Sequence, residues 1–401
     1  MIQLKRHTNI ALAYFLLVGV LGILLRLFYV TPIPANYRYV VHAHSHIALL
    51  GWVYIGLATL IYRIYFTEAG KSKLYLRIFW FTNITILGLL FTFPFQGYAL
   101  FSITFSTLFL IASYFFAWFV LKHIPQQFKG TYSFKCIKAS LWYLIISSIG
   151  PWAIGGVMAT LGNTSIWYKL SIYFYLHFQY NAWFILALTG ILFFILEKNG
   201  LNPEKKEFKS FFLLLNAGII LSFFLSVLWV EPPAIFYVLA AAGAVLQTFA
   251  FYKLYLILKK SWSGLKKLIS PFLNFLFYLA GIFLAVKVLL QLMTAIPYFA
   301  DLSALYTDFV IGYLHWTFLG VISIALFAFF QFFKFLKLRK NIFWIYLSGF
   351  ILSEILIFYK GASIWLGLPF FSNYFALLVG ISALIPIAVG IILFRNMRSN
   401  S

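Results

Sequence analysis

The chain has 401 residues, of which 64% are hydrophobic and 9% are charged. Soluble globular domains carry about 25% charged residues, so the composition excludes a water-soluble protein. The net charge of +22 does not indicate a nucleic-acid partner, because the basic residues lie between apolar segments instead of forming one patch. The one cysteine, Cys136, excludes a disulfide within the chain.

Apolar segments of roughly 20 residues recur along the whole chain, and each can cross a hydrocarbon core of about 30 Å. The first segment follows Lys5 and Arg6 and is too long for a signal-peptide core, so we expect a retained helix. We predict an all-α polytopic membrane bundle of about twelve transmembrane helices, forming a single transmembrane domain over residues 1–401. The predicted helices cover residues 10–30, 41–64, 76–95, 98–121, 137–160, 169–196, 210–230, 233–257, 271–294, 305–331, 342–359 and 372–394.

The basic residues predict the orientation of these helices. All but five of the 30 lie at the two termini and in alternate loops, near residues 63–77, 122–138, 198–209, 253–267 and 334–340. Because Lys and Arg are retained on the cytoplasmic side, this alternation places both termini in the cytoplasm, in a bacterial-type inner (cell) membrane. The five exceptions are Arg26, Arg38, Lys169, Lys287 and Lys360.

Histidines fall at one depth in three predicted helices. His7 and His123 lie in cytoplasmic flanks, but His42, His44 and His46 open the second helix, and His177 and His315 lie in the sixth and tenth. Counted from the nearest loop residues, these five lie roughly 7 to 14 Å from the outer ends of their helices. An ionisable group inside a span is by default a functional candidate, although a lone histidine bonded to a carbonyl group is the common alternative.

The residue types in this layer narrow its chemistry. Carboxylates occur only at its rim, which argues against a hard cation, whereas imidazole suits heme iron, copper or zinc. Residues two apart on a helix project about 200° apart, so His42 and His46 share a face and His44 points away from it. Tyr313 and His315 have the same relation in the tenth helix.

Twelve helices with histidine on the second, sixth and tenth resemble the catalytic subunit of heme-copper oxidases and nitric oxide reductases, a cytochrome oxidase subunit I-like fold. Residues 41–52, VHAHSHIALLGW, look like the segment of that family's second helix that binds the low-spin heme, with Arg38 upstream as in some reductase-like members. Tyr313-Leu314-His315 is similar to the tenth-helix His-x-His. The resemblance implies heme b held by His44 and His315, with His42 or His46 as the alternative on the second helix. No Cys-x-x-Cys-His sequence is present, so the attachment would be non-covalent.

The same comparison implies an incomplete second metal site. Tyr313 stands where the family has the ligand of its high-spin heme, and the seventh helix contains no histidine. His177 matches the family's metal ligand on the sixth helix, but a second metal needs about three protein ligands. Reduction of oxygen or nitric oxide is therefore not expected of this chain alone. An improvised metal site of His177, a spare second-helix histidine and Tyr313 is the alternative.

Several charged residues near these histidines have candidate roles. The resemblance implies basic partners for the heme propionates, and the outer Arg26, Arg38, Lys169 and Lys360 are the candidates, with Lys360 expected in the loop after the eleventh helix. Lys287 and Glu354 lie inside the ninth and eleventh helices. They either form an ion pair or proton path, or Lys287 reaches the membrane interface and Glu354 is protonated.

We expect a role in respiratory electron transfer or in binding oxygen or nitric oxide, with membrane lipid and a membrane or periplasmic electron-transfer protein as partners. A second hypothesis is a twelve-helix secondary transporter without heme, although such proteins usually show internal repeats and charged groups at the midplane. A third is an accessory membrane protein without a cofactor.

Overall fold

The computed structural model describes residues 2–67 and 71–398, and in these residues every regular element is helical. Twelve helices are long and apolar enough to cross a membrane, so the predicted all-α polytopic bundle is confirmed. Residues 68–70, in the loop predicted near 63–77, lie outside the described residues. The spans are α1 Leu4–Leu27, α2 Tyr37–Tyr65, α3 Ser72–Gln96, α4 Leu100–His123, α5 Tyr132–Thr160, α6 Ile166–Lys198, α7 Lys205–Val230, α8 Ala234–Lys266, α9 Pro271–Met293, α10 Thr307–Phe332, α11 Lys340–Leu366 and α12 Tyr374–Arg398.

Several helices extend beyond their predicted ends. α8 continues to Lys266 rather than residue 257, because lysine is a good helix former and its charge remains exposed there. α11 continues to Leu366, so Lys360 lies inside the helix and not in the loop after it, which corrects that expectation. The connection between α9 and α10 also contains a short helix, Pro297–Leu305.

The chain divides into two compact units. The first contains Met1–Ile124 and Leu326–Ser401, and the second contains Pro125–Ala325. In the first unit α1 packs against α2 and α12, and Phe15 of α1 stacks on Trp52 of α2 with ring centroids 4.5 Å apart. The Tyr14 hydroxyl donates to Asn83 Oδ1 of α3 at 3.2 Å, so a polar bond inside the apolar core also joins these helices.

In the second unit α7 and α8 pack closely against each other. Their backbones touch at Gly243, where an added Cβ would lie 2.1 Å from the Ser222 nitrogen. The Gln247 amide donates to the Gly218 carbonyl and to the Ser222 hydroxyl, which adds polar bonds across the same contact. Small residues and interhelical hydrogen bonds are the usual means of helix association in membranes, where lipid removes the hydrophobic driving force.

Three spans contain a segment of π-helix, an element that accounts for well under 1% of residues in soluble proteins and is often found at functional sites. The segments are Ile47–Tyr54 in α2, Phe178–Phe184 in α6 and Trp316–Ile322 in α10. Each begins at the residue directly after a histidine: His46, His177 or His315. The backbone irregularity therefore coincides with the histidine layer predicted from the sequence.

Candidate functional site

The three histidines of α2 point in two directions, as the 200° relation predicts. The rings of His42 and His46 face the aromatic residues Phe93 and Tyr98, with the His46 and Phe93 centroids 4.4 Å apart. His46 Nδ1 is 2.8 Å from the His42 carbonyl oxygen, a bond within its own helix. His44 instead faces α1, where its Nδ1 is 3.1 Å from the Val18 carbonyl oxygen.

The bond between His44 and α1 fixes the tautomer of the imidazole. A carbonyl oxygen only accepts hydrogen bonds, so Nδ1 carries the hydrogen and Nε2 carries the lone pair. This arrangement is typical of histidines that bind metals, in which the second ring nitrogen donates to a carbonyl or carboxylate oxygen and thereby orients the ring. His44 is therefore held by another helix in a single tautomer.

Gly22 lies one helical turn after Val18 and gives the His44 ring its space. A Cβ at this position would be 3.2 Å from His44 Cε1 and 3.3 Å from Arg26 Nη1. The Arg26 guanidinium also donates to the Gly22 carbonyl at 3.1 Å, and it interacts electrostatically with Glu354 of α11. A histidine and an arginine thus share one small face of α1 near its C-terminal end.

The other three candidate partners of the propionates occupy different surroundings. Arg38 is exposed in the first turn of α2, and Lys360 is partly buried within α11. Lys169, in the second unit, lies with its Nζ 5.3 Å from the centre of the Trp229 ring. Arg26 is therefore the candidate that the described structure places beside His44.

In the second unit both ring nitrogens of His177 are hydrogen-bonded. Nε2 donates to the Ile219 carbonyl of α7 at 2.8 Å, and Nδ1 accepts from the Asn181 amide at 3.2 Å. Asn181 follows His177 by four residues and lies on the same face of α6. To bind a metal, this ring would have to give up one of these bonds, and the prediction of His177 as a metal ligand stays a prediction.

Lys287 of α9 extends the same network. It is fully buried, and its ammonium group donates to Asn181 Oδ1 and, at 2.8 Å, to Gln291 Oε1. Lys287 is therefore enclosed by protein, and its hydrogen-bond partners lie within the second unit. Gln291 Oε1 also accepts from the Tyr313 hydroxyl of α10 at 3.4 Å. Tyr313 thus belongs to a polar network that joins α6, α9 and α10.

His315 is the last residue of the first α-helical segment of α10. The next residue, Trp316, begins the π-helical segment, and its indole N–H donates to the Phe283 carbonyl of α9 at 3.0 Å. The role of His315 as second axial ligand remains the expectation from the sequence.

Among the described residues no group of three or more His, Cys, Asp or Glu side chains is placed to hold a metal ion. No protein-family model and no curated protein sequence matches the chain. The likeness to heme-copper oxidases therefore depends on the histidine positions and on the number of helices.

Two parts of these networks were missed by reasoning from the sequence. Gly22 is preceded by Val18 and followed by Arg26 at intervals of four, a spacing that marks one face of α1 and could have been noticed. Asn181 follows His177 at the same interval. The carbonyl groups of Val18 and Ile219 could not be identified as hydrogen-bond partners from the sequence, because every residue has a carbonyl group.

Proposed function

We propose that this chain is a heme b-binding membrane protein in which His44 is an axial ligand of the iron. The observation that carries the proposal is the hydrogen bond of His44 Nδ1 to the Val18 carbonyl on another helix. It leaves the lone pair on Nε2 and holds the ring in one orientation, which are the two requirements for axial ligation.

The surrounding residues support the same assignment. Gly22 leaves space for the ring, and Arg26 supplies a cation that would pair with a heme propionate. When bound, heme b supplies reversible one-electron chemistry. The protein's part would be to orient the His44 ring and to neutralise the propionate charge through Arg26.

The second metal of the oxidase family does not fit the described residues. Both ring nitrogens of His177 are hydrogen-bonded, one to the Ile219 carbonyl and one to the Asn181 amide. Among the described residues no group of three or more metal-ligand side chains is placed to hold a metal ion. We therefore propose electron transfer or gas binding without complete reduction of oxygen or nitric oxide. No step of the proposed function uses a second metal.

An absorption spectrum of the purified protein tests the proposal. We expect a sharp reduced α-band of heme b that is lost in His44→Ala, while the protein remains inserted in the membrane. His123→Ala is the matched control, because His123 is the last residue of α4, in a flank that the charge pattern assigns to the cytoplasmic side, opposite the predicted heme. His315→Ala tests the second predicted ligand.

A wild-type protein without visible absorbance would refute the proposal and favour the heme-free transporter. Loss of the band in His46→Ala or His42→Ala, with the band intact in His44→Ala, would show that the axial ligand lies on the other face of α2. Oxygen or nitric oxide consumption by the reduced protein, abolished by His177→Ala, would show that a second metal centre exists.

A further inference from the structure

The polar network of the second unit contains more hydrogen-bond donors than acceptors. Lys287 has three N–H donors when charged, of which two are used by Asn181 Oδ1 and Gln291 Oε1. Gln291 Oε1 accepts from both Lys287 and Tyr313, which fixes the orientation of the amide. Gln291 Nε2, on a side chain 6% exposed, then has no partner among the described residues.

A protonated Lys287 would bring a positive charge into this network without a counter-ion. Within the described part of the second unit, the ion pairs join Lys260 to Glu204 and Glu207 and leave Lys287 without one. The acidic residues of this unit lie at or beyond the ends of the spans, at Glu197, Glu204, Glu207, Glu231, Asp301 and Asp308. An unpaired ammonium group in a medium of low polarity is costly unless a negative charge accompanies it.

We propose that Lys287 and Gln291 bind a small monovalent inorganic anion, such as chloride, in the second unit beside α6 and α10. The anion accepts hydrogen bonds from the third N–H of Lys287 and from Gln291 Nε2. It thereby supplies both the missing acceptor and the missing charge. Lys287 lies six residues before the end of α9, about 9 Å along the helix axis, at the end that the charge pattern assigns to the outer face.

The Tyr313 hydroxyl and the Asn181 amide have a positioning role in this site. Tyr313 and Lys287 together hold Gln291 Oε1, so that Nε2 points away from them. Asn181 holds the ammonium group through Oδ1 and bonds His177 through Nδ2. Anion binding would therefore tie α9 more firmly to α6 and raise the resistance of the protein to unfolding.

The test measures thermal unfolding of the purified full-length protein in detergent, with chloride exchanged for gluconate at a constant ionic strength of about 0.15 M. We expect the unfolding temperature to rise with chloride and to saturate. Bromide should have the same effect, and crystals grown in bromide should show an anomalous peak beside Lys287 Nζ. This readout does not depend on heme, so its failure is distinguishable from failure of the proposed function.

Gln291→Glu is the decisive variant, because it replaces the amide with a carboxylate of the same size and gives Lys287 an internal counter-ion. We expect it to fold and to lose the chloride dependence, whereas Lys287→Gln weakens the apparent affinity for chloride by about tenfold or more. Lys169→Gln, a change at an exposed lysine, should leave the chloride dependence unchanged. An equal response of wild type and Gln291→Glu, or no response of wild type, would show that water or an uncharged amine completes the network instead.

Discussion

Replacing Gly243 with alanine should separate α7 from α8. The added methyl carbon would lie 2.1 Å from the Ser222 nitrogen and 2.5 Å from the Leu221 carbonyl carbon, whereas ordinary contact begins at 3.4 Å. The facing atoms belong to the backbone, so the helices must move apart by about 1 Å instead of rotating a side chain. Overpacking of this kind costs about 1–3 kcal/mol, and the better helix propensity of alanine returns about 1 kcal/mol at most. We expect a net loss of about 1 kcal/mol, and of no more than about 2–3 kcal/mol.

Gly281→Ala is the matched control, because it adds the same methyl group to the middle of α9, where nothing lies within 4 Å. It should leave stability unchanged or raise it by about 0.5–1 kcal/mol. Denaturant unfolding of both variants in the same detergent measures the difference. Equal stability of the two variants would refute the close backbone contact between α7 and α8.

Three further changes test other contacts. Glu197→Ala removes a carboxylate that accepts from the first two backbone N–H groups of α5, and denaturant unfolding should show a loss of about 1–2 kcal/mol. Gly22→Ala adds a methyl group 3.2 Å from His44 Cε1, so the purified protein should contain less heme per chain, as measured by its absorbance. Tyr14→Phe leaves Asn83 Oδ1 without its donor and should cost about 1–2 kcal/mol of unfolding free energy; a cycle with Asn83→Leu should show coupling, and simple additivity would contradict the bond.

The number and order of the helices could be predicted for two reasons. An apolar segment must be long enough to cross the lipid, and Lys and Arg residues are concentrated in alternate loops. The ends of the helices could not be predicted as accurately as their number. Lysine residues such as those at the end of α8 stop an apolar segment but do not stop a helix, so the helix continues to Lys266 in polar surroundings. The same reasoning explains why Lys360 belongs to α11.

The directions of the second-helix histidines could be predicted, but the hydrogen bonds around them could not. Helical geometry alone separated His44 from His42 and His46, because a rotation of 100° per residue fixes direction. It could not show that His44 meets a backbone carbonyl group of α1. Gln291 follows Lys287 by four residues, a spacing visible in the sequence, whereas Asn181 lies on another helix and meets Lys287 only in the folded chain.

The π-helical segments bear on how the chain is built. They occur in the second, sixth and tenth spans, so three spans lie between each segment and the next. A π-helical turn accommodates one more residue than an α-helical turn, and such a defect lowers stability unless something retains it. Each segment directly follows a histidine, so the change in backbone geometry and the histidines recur together, at every fourth span.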